Sequence, residues 1–158
     1  MKSFIIAAVL ITILYFGYKF SGTSTAVPTI GNIIAPQAQE VIVTKIIDGD
    51  TVVVEGGEHV RLLGIDTAEK GKKCYSEAKA RISDLIYGKK VVLDTEGQDK
   101  DQYGRLLRWI QLDESLINGQ LVAEGYAIAR FYGDSKYKEA IQQAEQNAID
   151  NNIGCLWS

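Results

Sequence analysis

Between residues 45 and 69 the chain reads KIIDGDTVVVEGGEHVRLLGIDTAE, which places three carboxylates (Asp50, Asp66 and Glu69) in one stretch with Arg61; Arg105 follows later. Hard divalent cations prefer carboxylate and carbonyl oxygens. A phosphodiester is an anion, and the charge that develops as it is cleaved calls for cationic hydrogen-bond donors. Acids for a cation and guanidinium groups for a phosphate are the smallest set for metal-assisted hydrolysis of such an ester. The same residue types have blander uses. Aspartate caps turns, arginine pairs across strands, and Glu69 beside Lys70, Lys72 and Lys73 suits a solvated loop. Residue types alone leave both readings open.

The elements that would position these groups are short. Val41, Val43, Lys45 and Ile47 share one face of an extended run, and Asp48-Gly49-Asp50 makes a turn or bulge before a second strand over 51–55. Gly56-Gly57 signals a hairpin into a third strand over 59–65. Ala78, Ile82, Leu85 and Ile86 recur at helical spacing over 75–87, with Gly88 as the stop. Residues 91–94 and 105–112 read as strands, 116–124 as a helix ended by Gly125, and 126–132 as extended chain. Asp134 or Ser135 is the expected cap of a last helix reaching about residue 151, with Tyr137, Ile141, Ala144 and Ala148 along one stripe. The sum is an α+β fold of five strands and three α-helices, beginning near Glu40 and compatible with an OB-type β-barrel.

At 158 residues the chain suits one ordinary domain with some sequence to spare. The formal charge is −3, so no basic surface advertises nucleic-acid binding. Setting aside Lys2 and Lys19 leaves 15 basic residues against 20 acids, so any polyanion must be met by a local patch. Residues 1–20 form a hydrophobic helix candidate, an uncharged run between Lys2 and Lys19. Its length of about 24 Å falls a little short of a bilayer core of ~30 Å, a gap that lysine snorkelling can close. A cleaved signal peptide is the rival, with Ser24-Thr25-Ala26 as a small-residue site. Either way the remainder is expected outside the cytoplasmic membrane, as an anchored single-pass protein or a secreted one. Residues 21–39, rich in small and turn-forming types, read as a linker, which leaves 40–158 as the folded domain.

Cys74 and Cys155 fit an exported protein. A bridge between them would close a loop of about 80 residues and contribute about 4 kcal/mol in the chain-entropy model. Two unpaired thiols are the alternative. Two cysteines and the single His59 lack the paired spacing of a zinc site.

Four motifs in order, DGDT, RLLGIDTAE, DQYGR and a closing helix before LW, resemble the staphylococcal-nuclease-like (thermonuclease) family over about residues 41–157. The resemblance implies a five-stranded OB-type barrel with three helices, and Ca2+-dependent cleavage of DNA and RNA that leaves 3′-phosphate ends. It implies that Asp50, Asp66 and the Thr67 carbonyl hold the calcium ion, and that Glu69 orients or deprotonates the attacking water. Arg61 and Arg105 would grip the scissile phosphate, Tyr103 would contact a terminal phosphate, and Tyr132 or its neighbour Phe131 would stack on a base. Single-stranded or unpaired DNA and RNA would be the substrates of a monomer. Two positions depart from the family pattern. Ala68 stands where proline is usual, and Gln102 replaces a basic residue. Lys70, with Lys72, Lys73, Lys79 and Arg81, offers either a compensating substrate-binding patch or a solvated charge cluster.

Overall fold

The computed structural model describes residues 38–158. Strand β1 (Gln39–Ile46) carries a break of register between Val43 and Lys45. Such a bulge bends a strand and sharpens its twist. Here it lets the first half of β1 pair with β5 (Lys90–Asp94) and the second half with β2 (Thr51–Val54), both antiparallel. Gly56 and Gly57, both at φ 86°, turn β2 into β3 (His59–Leu62), with Thr51 opposite Arg61. Strand β3 then runs parallel to β6 (Leu106–Leu112), which pairs antiparallel with β5. The order β1-β2-β3-β6-β5 therefore returns to β1, and the five strands close as the OB-type reading expects. Closure leaves no barrel strand with an unpaired edge. A short β7 (Ser115–Leu116) adds a hairpin to β6.

Alternation along the strands sends Val41, Val43, Val52, Val54, Val60, Leu62, Val91 and Leu93 into the barrel. Helix α1 (Tyr75–Ile86) adds Ala78, Ile82 and Ile86, the stripe read from the sequence. Helices α2 (Ile117–Ala123) and α3 (Lys138–Asp150) bring Leu121, Val122, Ile141 and Ala148 to the same core. Buried Asn118 rivets α2 to the barrel, accepting from the Ile110 N–H at 2.9 Å and donating to the Leu63 carbonyl at 2.9 Å.

Three local expectations need correction. The third strand does not run through residue 65. It stops at Leu62, turns at Leu63-Gly64, and resumes as β4 (Ile65–Asp66) against β8 (Ile128–Ala129). Gly64 sits at φ 70°, and a Cβ there would lie 2.5 Å from the Trp109 ring and 2.8 Å from Phe131. Alternation holds from Val60 to Leu62 and fails at Leu63-Gly64, where a second apolar residue in a row and a glycine mark the turn. Neither Asp134 nor Ser135 caps α3, which opens after Tyr137 without a side-chain cap. Ser135 instead donates its hydroxyl to Glu96 at 2.9 Å. Gly154 opens a further single turn, α4 (Gly154–Trp157), so the three expected helices are followed by a fourth short one.

Cys74 and Cys155 are bridged across a separation of 81 residues, with Cα atoms 5.3 Å apart, inside the usual range. The hydrophobic helix expected over 1–20, and all of the 21–39 linker but its last two residues, lie outside the described residues. Among the described residues no helix is long and apolar enough to cross a membrane.

Candidate active site

The β2–β3 hairpin builds the site from its register. Thr51 faces Arg61 across the ladder, so Asp50, one residue earlier, falls diagonally from the guanidinium. The Leu62 N–H donating to the Asp50 carbonyl at 2.9 Å extends the pairing past the strand end. A slip of one residue would turn Arg61 to the other face of the sheet. The β3–β4 turn then folds back over Arg61. Its Nη1 donates to the Leu62 and Ile65 carbonyls at 2.7 and 3.0 Å. Its Nη2 lies 2.9 Å from Asp66 Oδ1 and 3.2 Å from Asp50 Oδ2. One guanidinium nitrogen thus touches both aspartates, and these two carboxylates, 16 residues apart in sequence, converge on it.

Asp50 is only 6% exposed and heavily bonded. The Thr67 N–H and hydroxyl both donate to its Oδ2, at 2.9 and 3.0 Å, and the Thr51 hydroxyl donates to its Oδ1 at 3.0 Å. Burial nevertheless pushes its carboxyl from 3.8 up to about 6, against the pull of Arg61 and the Thr67 hydrogen bonds and with a further push from Asp48. The charge of Asp50 is therefore under-compensated by the protein.

Arg105 arrives by a different route. Asp101 Oδ1 accepts from the N–H groups of Tyr103 and Arg105, at 2.9 and 3.0 Å, which shapes the DQYGR turn. Asp101 Oδ2 accepts from Arg105 Nε at 2.7 Å. Desolvation alone would raise the Asp101 carboxyl, but the bonds from Arg105 and Tyr103 outweigh it and hold the group below its ordinary value. Held in this way, Arg105 Nη1 reaches Thr51 Oγ1 at 3.4 Å. Thr51 is the bridge between the second arginine and the first aspartate. Arg105 Nη2 has no hydrogen-bond partner among the described residues.

Arg61, Asp66, Tyr103, Arg105 and Tyr132 all line one cavity of about 480 Å³. Tyr103 and Tyr132 are 75% and 91% exposed at its rim, with the Arg105 and Arg130 guanidinium groups over their rings at 5.4 and 5.6 Å. Phe131 packs inward, with its ring 6.4 Å from that of Trp109, which leaves Tyr132 as the ring open to a ligand. Arg108, paired with Asp99 at 2.6 Å, is a structural cation. Glu69 and Lys70 are not brought to the cavity wall. Both are exposed on the loop after β4, without a side-chain hydrogen bond or ion pair among the described residues.

The residues missed from sequence are Thr51, Asp101, Glu96 and Arg130. The first two sit inside DGDT and DQYGR, where a polar turn residue flanking a candidate is a usable signal. Glu96 accepts from Trp109 Nε1, Ser135 Oγ and the Lys136 N–H, at 2.8, 2.9 and 2.9 Å, and ties two cavity loops together. Nothing local foretells that. Arg130 adds a third guanidinium to the cavity and donates to the Tyr132 hydroxyl at 3.2 Å.

Among the described residues no group of three or more His, Cys, Asp or Glu side chains surrounds one point. The donors present are two convergent carboxylates, with the Thr67 carbonyl one residue on. This all-oxygen, anionic and incomplete set fits a hard divalent cation that keeps water and substrate oxygens in the rest of its shell, and does not fit a soft metal. The raised Asp50 carboxyl argues the same way, since it lacks positive charge that a cation would supply.

Known proteins resemble this chain over the same domain. The family described as staphylococcal nuclease homologue matches residues 59–158. The thermonuclease of Staphylococcus intermedius is 31% identical over 168 residues, covering 97% of this chain and 94% of that protein. The thermonuclease of Staphylococcus hyicus is 34% identical, covering 73% of this chain and 74% of its own. An uncharacterised endonuclease of Haemophilus influenzae is 37% identical, covering 73% of this chain and 65% of its own.

Proposed function

The chain belongs to the staphylococcal nuclease family and is a nuclease, and on that footing we propose that it hydrolyses DNA and RNA in a calcium-dependent reaction without strong sequence preference. The observation that carries this reading is the convergence of Asp50 and Asp66 on Arg61, with Arg105 tied to the same aspartate through Thr51.

Asp50, Asp66 and the Thr67 carbonyl would hold the ion. When bound, a divalent cation such as calcium supplies positive charge to the phosphate as a Lewis acid. The chain's own groups do the rest. The two guanidinium groups line the cavity where the phosphate would sit, and Arg105 Nη2 is ready to donate to it. Paired N–H donors neutralise the charge that builds on the phosphoryl oxygens. Glu69, off the cavity wall but three residues past Asp66 and without a side-chain partner among the described residues, would orient or deprotonate a water at the ion. Water adds to phosphorus, the 5′-oxygen departs with a proton, and the phosphate stays on the 3′ end. Tyr103 meets a neighbouring phosphate, while Tyr132 stacks on whichever base is present, which suits an enzyme indifferent to sequence.

The direct test incubates the full chain with single-stranded DNA or RNA, with calcium or with a chelator. Cleavage only with calcium is expected, giving ends that resist polymerase extension until a phosphatase is added. Binding without cleavage would instead make the domain an oligonucleotide-binding module. Glu69→Gln should lower kcat by a factor of about 10² to 10⁴ and leave nucleotide affinity close to unchanged. Equal losses in both would give Glu69 a structural role. Arg105→Lys keeps the charge but loses the fork held by Asp101, and kcat should fall about 10²-fold. An unchanged rate would show that Arg105 does not touch the phosphate.

Residues 1–20 would carry the domain across the membrane and hold it there, or be removed to release it. The mass of the protein recovered from membrane and medium separates the two.

A further inference from the structure

A second hollow, of about 500 Å³, lies between α1 and β1 and shares no lining residue with the cavity above. One wall is a stripe along α1 and its C-terminal neighbour. Tyr75, Lys79, Ser83 and Tyr87 recur every four residues, so they stack on one face over about 18 Å. The facing wall is the end of β1, where Lys45 is exposed. No Asp or Glu lines the hollow, and neither lysine has a carboxylate within ion-pair distance among the described residues. That is unusual in a domain where acids outnumber bases. Tyr87 is 58% exposed, an aromatic ring left in solvent at the helix end.

The hollow is also close to the reacting centre. Ala78, on the turn of α1 that carries Lys79, packs on the Asp48-Gly49-Asp50 turn so tightly that a Cβ on Gly49 would lie 2.9 Å from it and 2.9 Å from Thr67. The hollow, whose stripe passes one residue from Ala78 at Lys79, therefore carries two unpaired cations and an exposed ring within reach of a strand that leaves the aspartate site on this side. Interleaved cations and aromatic rings form the usual track for a single strand, with cations on phosphates and rings on bases. A stripe of about 18 Å is long enough for about three nucleotides of an extended single strand.

We propose that the α1–β1 groove is an accessory site for the single-stranded nucleic acid being cleaved, with Lys45 and Lys79 on phosphates remote from the scissile one and Tyr75 and Tyr87 stacking on bases. This rests on the nuclease reading above and adds to it the use of long substrates over short ones.

The test compares the full chain with its K45Q/K79Q and Y87A variants on two substrates, a dinucleotide with one phosphodiester and a single-stranded oligonucleotide of about 12 residues. For the double variant, KM for the oligonucleotide should rise about tenfold with kcat unchanged. The salt dependence of its binding should flatten by about 1.4 in log–log slope, ~0.7 for each phosphate that a lysine no longer neutralises. Y87A should weaken oligonucleotide binding by about fivefold. The dinucleotide should not distinguish any of the three proteins. An oligonucleotide KM that does not move would make the stripe a solvated helix face, and equal changes on both substrates would move the lysines to the reacting phosphate; either overturns the groove. Should the unmodified chain cleave neither substrate, the nuclease reading fails by itself. The groove is then judged from titration of a fluorescent oligonucleotide in EDTA, where an unchanged Kd in K45Q/K79Q overturns it.

Discussion

Asp50→Asn should abolish turnover and, in the metal-free protein at neutral pH, make the domain harder to unfold. Both effects follow from one environment. Asp50 sits almost out of solvent, and burial raises its carboxyl from 3.8 to about 6 even with Arg61 beside it and the Thr67 bonds in place. A carboxyl whose native value lies above its unfolded value binds its proton more tightly in the folded state. Its ionisation therefore costs stability as pH rises. Below about pH 4 the cost is absent, it grows between pH 4 and 6, and above 6 it stands at about 3 kcal/mol for a shift of about two units.

Asparagine has the same shape without the charge. Its oxygen can keep the Thr67 pair, and the Thr51 hydroxyl can turn to accept from the amide. Arg61 loses an ion pair, which offsets part of the gain. A net stabilisation of about 1 to 2 kcal/mol at pH 7, vanishing near pH 4, is the expected result of urea unfolding with pH. Loss of a carboxylate from the proposed cation site should lower kcat by at least about 10³-fold. Added calcium should stabilise the unaltered protein above pH 6 and have little effect on the variant. A variant less stable than its parent at pH 7, or stabilised equally at pH 4, would show that Asp50 is not held at a cost.

The Cys74–Cys155 bridge carries the other large expectation. Closing 81 residues removes unfolded-state freedom worth about 4 kcal/mol in the chain-entropy model. The bridge ties α4 beneath the start of α1, and Lys73 Nζ donating to the Ser158 carbonyl at 2.8 Å adds a second tie next to it. Replacing both cysteines by alanine should lower Tm by about 15 °C, taking about 4 °C per kcal/mol for a domain of this size. A shift of only a few degrees would mean that the non-covalent packing of the last turn already restrains the chain. The Glu69 loop leads directly into Cys74, so amide exchange there should rise in the reduced protein, while exchange in β2, β3 and β6 should not.

Local order was plain in the amino-acid sequence. Helical spacing over 75–87 and the Gly56-Gly57 hairpin are each produced by residues close along the chain, and the structure contains both. The polar residues proposed for the chemistry, Asp50, Asp66, Arg61 and Arg105, also stood out between apolar neighbours, Asp50 and Arg105 in or beside turns and Asp66 at the end of β4. Boundaries failed where a distant contact overrode the local pattern. At Leu63-Gly64 the strand turns, and Trp109 and Phe131 leave no room there for a Cβ. The helix α3 starts after Tyr137, two residues past Ser135, whose hydroxyl is given to Glu96, 39 residues away.

What the linear order could not contain is closure. The parallel pairing of β3 with β6 joins residues more than 40 positions apart and brings Arg105 to Thr51, and so to Asp50. Asp50 acquires its raised carboxyl only through burial in the folded domain, against the pull of Arg61 and the Thr67 hydrogen bonds. The hollow between α1 and β1, likewise, is lined by two segments that share no local pattern. Periodicity reports which face of an element is apolar. Which faces then meet, and which charges are stranded away from water when they do, depends on packing between elements that the order of residues leaves unspecified.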